Sequence, residues 1–541
     1  MSNMDTTTAT HIIEDGADKI EEEVFEFDTW KESRLLFGIA VPTSCVQLFN
    51  VLIFPLTASF VGRQFGSTAL AGLSLASLIG NISCVSVIIG TLSGCETLLP
   101  RAMGGGVSEY HQVGRIAIRG FLVGLFVMMP IVYVLWNYME FLLINILHQD
   151  EAASKMVSGN WIHWYLLALL SVLLFRTIQR FLNCQHIVWP CVVSTVLIST
   201  IVHPILLSTL ATESFVQTGK VICISQCLIA TLTLLIMYFW KPHHSQTFSL
   251  SIFGSELNSF LLMKNKREVM EYIDYSFGGV LSLSEWWFFE TACILAGRMG
   301  TTALVVHSIA YQITPLCWMI PQGLSMATSV RIGNTLGSPP VSLAVQNATR
   351  LANYSLFYAI AIGLFQAIFL NSRQTFIVNL FLGNEDITNT NATHMIELQL
   401  IQEVWYKICI QVFFLNIFCI EAGILRALGY QWRLATVIVI ILWSCTLPTI
   451  IYVCFFRDQF DMYQSFLRLW TIIPCGYFLM TAVLFYIIQT ADWHEISTEI
   501  IEKQQQNKEA TIKSKKLPSQ RNDDEIVMVT TETTSLLLSI T

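Results

Sequence analysis

The run Tyr275-Ser276-Phe277-Gly278-Gly279-Val280-Leu281-Ser282-Leu283-Ser284-Glu285-Trp286-Trp287-Phe288-Phe289-Glu290-Thr291-Ala292-Cys293-Ile294-Leu295-Ala296-Gly297 holds only two charges, Glu285 and Glu290, and they bracket four aromatic residues. Its length is that of a helix crossing a bilayer. A carboxylate in the middle of such a helix costs roughly 2.5–3.5 kcal/mol on insertion scales, and acids held there usually mark an ion pathway, a proton relay or a substrate counter-ion. The indoles beside them suit a cationic ligand, because their faces carry negative charge density. The competing reading is structural: an arginine from a neighbouring helix pairs with one glutamate, and the rings face lipid or core.

The rest of the chain agrees with a membrane setting. Of 541 residues, 54% are hydrophobic and 13% charged, with a mean hydropathy of +0.58, which excludes a soluble globular enzyme and indicates a polytopic membrane protein in a lipid bilayer. Much of the acid behind the net charge of −8 lies in the leader, from Glu14 to Asp28. A polar, acidic leader without an apolar core is not a cleaved signal peptide. Fourteen cysteines are scattered singly without CxxC or metal-ligand spacing, so they read as packing residues rather than a disulfide frame or zinc site. No GxxxxGK[ST] loop argues for direct ATP drive. No hydrolase, haem or flavin pattern stands out, so the reading is a protein that is not an enzyme, uses no cofactor or metal and binds no nucleic acid.

Hydrophobic windows fall at about 35–60, 68–97, 114–140, 160–182, 186–210, 217–240, 270–297, 302–328, 350–381, 403–428, 432–456 and 467–490. Twelve spans put both termini on one side. Alternate loops place Arg101, Arg115, Arg119, Arg176, Arg180, Lys241, Lys264, Lys266, Arg267, Arg331, Arg350, Arg426 and Arg433 with the termini, against eight cations opposite, among them Arg63, Arg298 and Arg457. By the positive-inside rule the termini are cytoplasmic. Asn391-Ala392-Thr393, in an outward loop, is a plausible glycosylation acceptor.

The halves echo each other. Gly62-Arg63-Gln64-Phe65-Gly66-Ser67-Thr68-Ala69-Leu70 resembles Gly297-Arg298-Met299-Gly300-Thr301-Thr302-Ala303-Leu304, and Leu92-Ser93 resembles Leu324-Ser325, at offsets near 235. The expected fold is therefore an all-α membrane protein with 12 transmembrane helices in two pseudo-symmetric six-helix lobes, the ligand site lying between them near the midplane. The divisions are an acidic cytoplasmic segment 1–34, an N-lobe 35–240, a cytoplasmic linker 241–269, a C-lobe 270–490 and a polar cytoplasmic tail 491–541. Pro42 and Pro55 in the first span, and Pro315 and Pro321 in the eighth, are expected to kink or unwind their helices.

These residues resemble the multidrug and toxin extrusion (MATE) transporters, and their eukaryotic branch in particular. The most specific pieces are Glu285-Trp286-Trp287-Phe288-Phe289-Glu290, Ile320-Pro321-Gln322-Gly323-Leu324-Ser325, Val330-Arg331-Ile332-Gly333-Asn334-Thr335-Leu336-Gly337, Gly94-Cys95-Glu96-Thr97-Leu98 and Leu182-Asn183-Cys184-Gln185. The resemblance implies alternating access and export of small organic compounds in exchange for protons, or for Na+ in some bacterial members. It assigns coupling to Glu285 and Glu290, and cavity lining to Gln47, Asn81 and Trp286. Two departures stand out. Gln312 replaces a third acid in the eighth helix, and Leu415 or Asn416 replaces an acid in the tenth, while Glu421 appears further on. Either Glu421 and His307 substitute for the missing groups, or coupling and cation preference are weaker. Glu421 can equally form a local pair with Arg426, and His307 can be a packing residue.

From the residues up, Glu285 is the minimal exchanger. Loss of water penalises the charged form of a carboxyl, so it can hold a proton or an organic cation resting against Trp286, Tyr311 or Trp318, but not both comfortably. Five residues on, Glu290 lies about 7.5 Å along the axis and about 140° around it on a straight helix, which makes it a second proton or gating site unless the helix bends. Glu96, near the cytoplasmic end of the second span, reads as a salt bridge or loop contact, or as a further coupling group. The function expected is a secondary active exporter of organic cations or xenobiotics, driven by protons and working as a monomer. The alternatives are an exchanger of neutral or anionic metabolites, or a passive channel or sensor. The plasma membrane is the expected site. Glu532-Thr533-Thr534-Ser535-Leu536-Leu537, an acidic dileucine pattern, keeps an endosomal or lysosomal membrane open.

Overall fold

The computed structural model describes residues 28–509 except 263, 383–391 and 457–460. The acidic cluster from Glu14 to Glu26, Asn391, Arg457 and the dileucine pattern lie outside the described residues. Among the described residues, eleven helices are long and apolar enough to cross a membrane: α1 Thr29–Gly66, α2 Thr68–Gly104, α3 Val107–Ile146, α4 Asn160–Asn183, α5 Trp189–Leu210, α6 Phe215–Trp240, α8 Thr302–Leu336, α9 Val341–Ser372, α10 Met395–Ala427, α11 Gln431–Phe456 and α12 Met462–Gln489. The remaining span, α7, comes in two pieces, Lys266–Ser282 and Ser284–Met299, joined at Leu283 with φ −86° and ψ 1°. The described residues thus form twelve spans.

The sequence echo becomes a structural one. Gly66 takes φ 83° where α1 gives way to α2, and Gly300 takes φ 133° where α7 gives way to α8. Residues with a Cβ rarely adopt that half of the map. One glycine therefore closes each tight reversal, at matching places in the two repeats.

Buried apolar side chains form two large cores, one per lobe, and each repeat lends its first helix to the other. Leu36, Ile39 and Ala40 of α1 belong to the core built by α8 to α12. Tyr272 of α7 belongs to the core of α2 to α6. The α1 contact is close enough that a Cβ on Gly323 of α8 would strike Ser44 and the Ala40 carbonyl. In the same way a Cβ on Gly279 of α7 would strike Ser93 of α2. The lobes clasp through two related crossings, α1 on α8 and α7 on α2.

The backbone stays helical through Pro42, Pro55, Pro315 and Pro321. It breaks instead at Leu283 and at Leu92 (φ −81°, ψ 1°), where α7 crosses α2. At Leu92 the reason is local supply of partners. At the break the Thr91 carbonyl accepts from Tyr272 Oη at 3.1 Å and Ser276 Oγ at 2.8 Å, and Ser93 Oγ donates to the Tyr275 carbonyl at 2.9 Å. A helix can abandon its own hydrogen bonds within a bilayer where neighbouring helices replace them.

At the end that carries the termini, the lobes are joined. Thr97 Oγ1 donates to the Arg426 carbonyl (2.6 Å), Arg101 Nη2 to the Ala427 carbonyl (2.8 Å), Ser338 Oγ to the Gly104 carbonyl (3.1 Å) and Asn334 Nδ2 to His186 Nε2 (3.0 Å). Two segments expected to be plain connections have structure of their own. Within the linker, the helix Leu250–Leu261 is pinned through Glu256 to buried Arg119 of α3 at 2.7 Å. Beyond α12, residues 493–509 form a helix whose Ile496, Ile500 and Ile501 are buried. It spans both lobes, since Ser497 Oγ donates to the Leu336 carbonyl and Gln504 Nε2 to the Arg101 carbonyl. The spacing of its isoleucines is that of one apolar helix face.

Candidate functional site

The two carboxylates of α7 lie past its break and face different neighbours. Glu285, 3% exposed, accepts from the Tyr477 hydroxyl of α12. The Tyr477 ring is flanked by Phe289 and Phe418, at 5.8 and 6.2 Å between centroids. Glu290, 9% exposed, accepts from the Tyr311 hydroxyl of α8. Among the described residues neither carboxylate has an ion-pair partner; each accepts from a tyrosine hydroxyl instead of the arginine of the purely structural reading. The bend does not turn the two acids toward one another, because it precedes both.

The aromatic groups expected around Glu285 gather around Glu290 instead. Trp286 and Glu290 are four residues apart and share a face of α7. Tyr311 and Trp318, seven apart, share a face of α8. Tyr311 meets Glu290, and Trp318 meets Trp286 edge to face, with centroids 5.1 Å apart. Trp286, Tyr311 and Trp318 are all half-buried. A carboxylate with two indoles and a phenol at hand is an arrangement suited to an organic cation. Glu285, enclosed on the other face, has only the phenol.

The remaining residues singled out in the sequence divide. Glu421 is fully buried with both oxygens unpartnered, and His307 is buried with both ring nitrogens unpartnered, its ring 5.5 Å from Trp470. Neither hydrogen-bonds the α7 carboxylates. A local Glu421–Arg426 pair is ruled out: Arg426 Nη1 lies 3.5 Å from Glu96. Asn81, in a π-helical segment of α2, and Gln312 are exposed and take no part in the aromatic cluster.

Gln47 belongs to a second polar group, in the other lobe. Its Oε1 accepts from Arg176 Nη1 at 2.6 Å, and its Nε2 lies 3.5 Å from Met326 Sδ of α8. Arg176 also donates to Gln179 Oε1 at 3.2 Å, and Arg180 donates to Glu96 at 2.8 Å. The salt-bridge expectation for Glu96 is met by partners other than Arg101. It is buried between lobes, not at a surface. Sorting Arg176 and Arg180 with the loop cations placed them wrongly, since both are buried side chains of α4. The rule that drew attention to Glu285, a charge inside an apolar span, was equally available for Arg176. Tyr477 had a weaker signal, a lone phenol in an apolar span that must find an acceptor when buried.

Comparison with known proteins follows the same outline. Residues 42–208 and 279–452 match the MatE family. Multidrug and toxin extrusion protein 2 of Oryctolagus cuniculus is 26% identical over 477 residues, covering 86% of this chain and 72% of that protein. Multidrug and toxin extrusion protein 1 of Homo sapiens is 27% identical, covering 85% and 75%. Among solved structures, the eukaryotic MATE transporter AtDTX14 superposes with a TM-score of 0.74 at 20% identity, covering 88% of this chain and 99% of that one. A point mutant of the MATE transporter VcmN of Vibrio cholerae does so with a TM-score of 0.68 at 16% identity, covering 86% and 99%.

Proposed function

The chain belongs to the MatE family and is a multi-pass transporter of the multidrug and toxin extrusion type, and on that premise we propose that it exports organic cations in exchange for protons. The observation that carries this reading is the pair of buried carboxylates on α7, each held by a phenol and, among the described residues, by no cation. An uncompensated carboxylate in a membrane interior is costly. A proton or an organic cation supplies the missing charge.

The geometry divides the labour. Glu290 takes the cation, whose apolar body rests against Trp286, Tyr311 and Trp318; Glu285 takes a proton. The two carboxylates are about 7.5 Å apart along the axis alone and point to different sides of it, so at an effective dielectric of about 20 their charges interact by at most about 2 kcal/mol. A proton on Glu285 therefore removes a negative charge that helps hold the cation and weakens its binding by that amount. The cation weakens proton binding equally, because coupling is reciprocal. That mutual exclusion is what an antiporter requires. Glu421 and His307, buried and unpartnered, are held in reserve as secondary proton sites.

Alternating access follows from the two crossings. Here the lobes are closed at the end of the termini. The excess of Lys and Arg at that end makes it cytoplasmic, so this state is closed to the cytoplasm, and the protein works as a monomer at the plasma membrane or an endosomal or lysosomal membrane. The test is efflux of a fluorescent organic cation from proteoliposomes under an imposed pH gradient. Wild type should accumulate substrate against its gradient, and Glu290→Gln should not. Flux that ignores both the gradient and the substitution would contradict proton exchange and favour a passive channel.

A further inference from the structure

The linker helix Leu250–Leu261 has three distinct sides. Its inner side packs on α3: a Cβ on Gly114 would strike the Thr247 carbonyl and lie 3.6 Å from Ile252, and Glu256 holds buried Arg119. Along its flank, Phe253, Leu257 and Leu261 recur every four residues and form one apolar stripe. That stripe is poorly covered, with Phe253 39% and Leu261 70% exposed. Ser251, Ser255 and Asn258 make up the third side and are exposed. A bare apolar stripe beside a polar face is what a helix lying in a membrane interface presents.

The position of this helix along the membrane normal agrees. α6 ends in the exposed rings of Tyr238, Phe239 and Trp240, followed by exposed Lys241. Aromatic rings and a cation at the end of a span mark the headgroup level. The chain leaves the membrane there and re-enters it at Lys266, the first residue of α7, so the helix between, seated on α3, lies against the same membrane face. Charge beside it is out of balance. Lys264, Lys266 and Arg267 are exposed and, among the described residues, pair with no acid. The neighbouring acids are already engaged, Glu256 and Glu268 by Arg119 and Glu271 by Lys503. Free cations next to bare apolar side chains at headgroup level complement an anionic phospholipid, which offers a negative headgroup and an acyl chain together. Arg119 ties this surface to the rest of the molecule: through Glu256 it holds the linker helix, and through Glu268 the first turn of α7, the span that carries Glu285 and Glu290. We propose that the linker helix and the run Lys264-Asn265-Lys266-Arg267 form a docking surface for anionic phospholipid in the leaflet at the end of the termini, and that its occupation steadies the first turn of α7 through Arg119. Neither part depends on the exchange reading of the α7 carboxylates.

The test takes the full chain in neutral detergent, adds phosphatidylserine or phosphatidylcholine, and resolves the bound lipids by native mass spectrometry. The readout is the ratio of the two affinities within each protein, which cancels differences in folding yield. A cation near a membrane surface is worth about 5-fold in affinity for anionic lipid, so wild type should favour phosphatidylserine by about 10-fold or more. Replacing Lys264, Lys266 and Arg267 together by glutamine should bring the ratio to about 1, and Lys264→Gln alone should lower it by about 5-fold. Lys220→Gln, which removes an exposed cation near the other end of α6, should leave it unchanged. Hydrogen exchange of residues 268–272 should slow on adding phosphatidylserine to wild type, and not to the triple variant. A wild type without preference, or a preference that survives the triple substitution, overturns the docking surface. A preference abolished by an equal concentration of inorganic phosphate gives the run to soluble anions, and one that emerges only when the acids from Glu14 to Glu26 are neutralised gives it to the acidic leader; either contradicts the lipid assignment. Phosphatidylserine bound with unchanged exchange in α7 contradicts the coupling through Arg119.

Discussion

In the carboxy-terminal lobe, two buried carboxylates rest on phenols and have no cation among the described residues. In the amino-terminal lobe, the buried guanidinium groups of Arg176 and Arg180 rest on the amides of Gln47 and Gln179, and Arg180 pairs with Glu96. The two lobes repeat the same helices, the same glycine reversals and the same crossing of a first helix into the opposite lobe, yet they hold charge of opposite sign. The scaffold has been duplicated while the chemistry has diverged. Under the proposed function, such a divergence gives an exchanger one lobe for protons and cations, and another that locks the lobes together.

The contrast is sharpest in stability. Glu96 is the counter-charge of both Arg180 and Arg426, so Glu96→Leu strands two guanidinium groups and should destabilise the protein by about 3–5 kcal/mol, seen as a large drop in the unfolding temperature of the detergent-solubilised protein. Glu285→Gln should do the reverse. It replaces an unpaired buried acid with a neutral group that can still accept from Tyr477, so stability should hold or rise. Function should suffer instead, with the pH dependence of cation affinity reduced by at most about 30-fold, the equivalent of about 2 kcal/mol of lost coupling. If Glu285→Gln unfolds the protein, or Glu96→Leu does not, the division between a working lobe and a locking lobe is wrong.

Tyr477→Phe probes the same lobe more gently. It deletes one hydrogen bond to a charged group, worth about 1.5 kcal/mol or more, and should weaken exchange by about 10-fold with little change in substrate selectivity. A change of selectivity would place Tyr477 against the substrate rather than behind Glu285.

The smallest effect concerns the lock itself. His186 lies between α4 and α5, outside the spans, and its Nε2 accepts from Asn334 at 3.0 Å and Arg331 at 3.4 Å across the lobe interface. Burial, and then the Arg331 charge, push its pKa down to about 4; Arg331 is itself paired with Glu32 at 2.5 Å. When the lobes part, His186 returns to an ordinary value of about 6.5. The parted state then binds the proton, so acid favours it, and lowering the pH from 8 to 6 should shift the balance by about 4-fold. Spin-label distances between the lobes at the end of the termini should show the shift in wild type and not in His186→Asn, a residue that tolerates the φ of 61° found there.

Much of this was legible in the chain. Twelve apolar windows and the internal echo specify the two-lobed fold, because a membrane admits few other solutions for such a sequence. Glu285 and Glu290 announce themselves, since a charge in an apolar run has no cheap explanation. What the sequence could not disclose is which neighbour each acid faces. Tyr477 lies 192 positions from Glu285, and Arg426 lies 330 from Glu96. The helix breaks were missed for a related reason. Prolines mark sites where a helix can bend, but the backbone gave way at Leu92, where hydroxyls of another helix take the Thr91 carbonyl, and at Leu283, where Ser282 takes the Gly279 carbonyl and the Trp443 indole the Ser284 carbonyl. The short helix 493–509 escaped notice because its apolar face is only a few isoleucines wide.

The central claim is that the α7 carboxylates hold either protons or a cation. Proton release on binding an organic cation, measured calorimetrically with the purified protein in buffers of different ionisation enthalpy, tests it most directly. The account predicts that wild type releases protons as the cation binds, that Glu285→Gln binds the cation and releases fewer, and that Glu290→Gln does neither. Cation binding without proton release in wild type, or undiminished release when both glutamates are replaced, would contradict it.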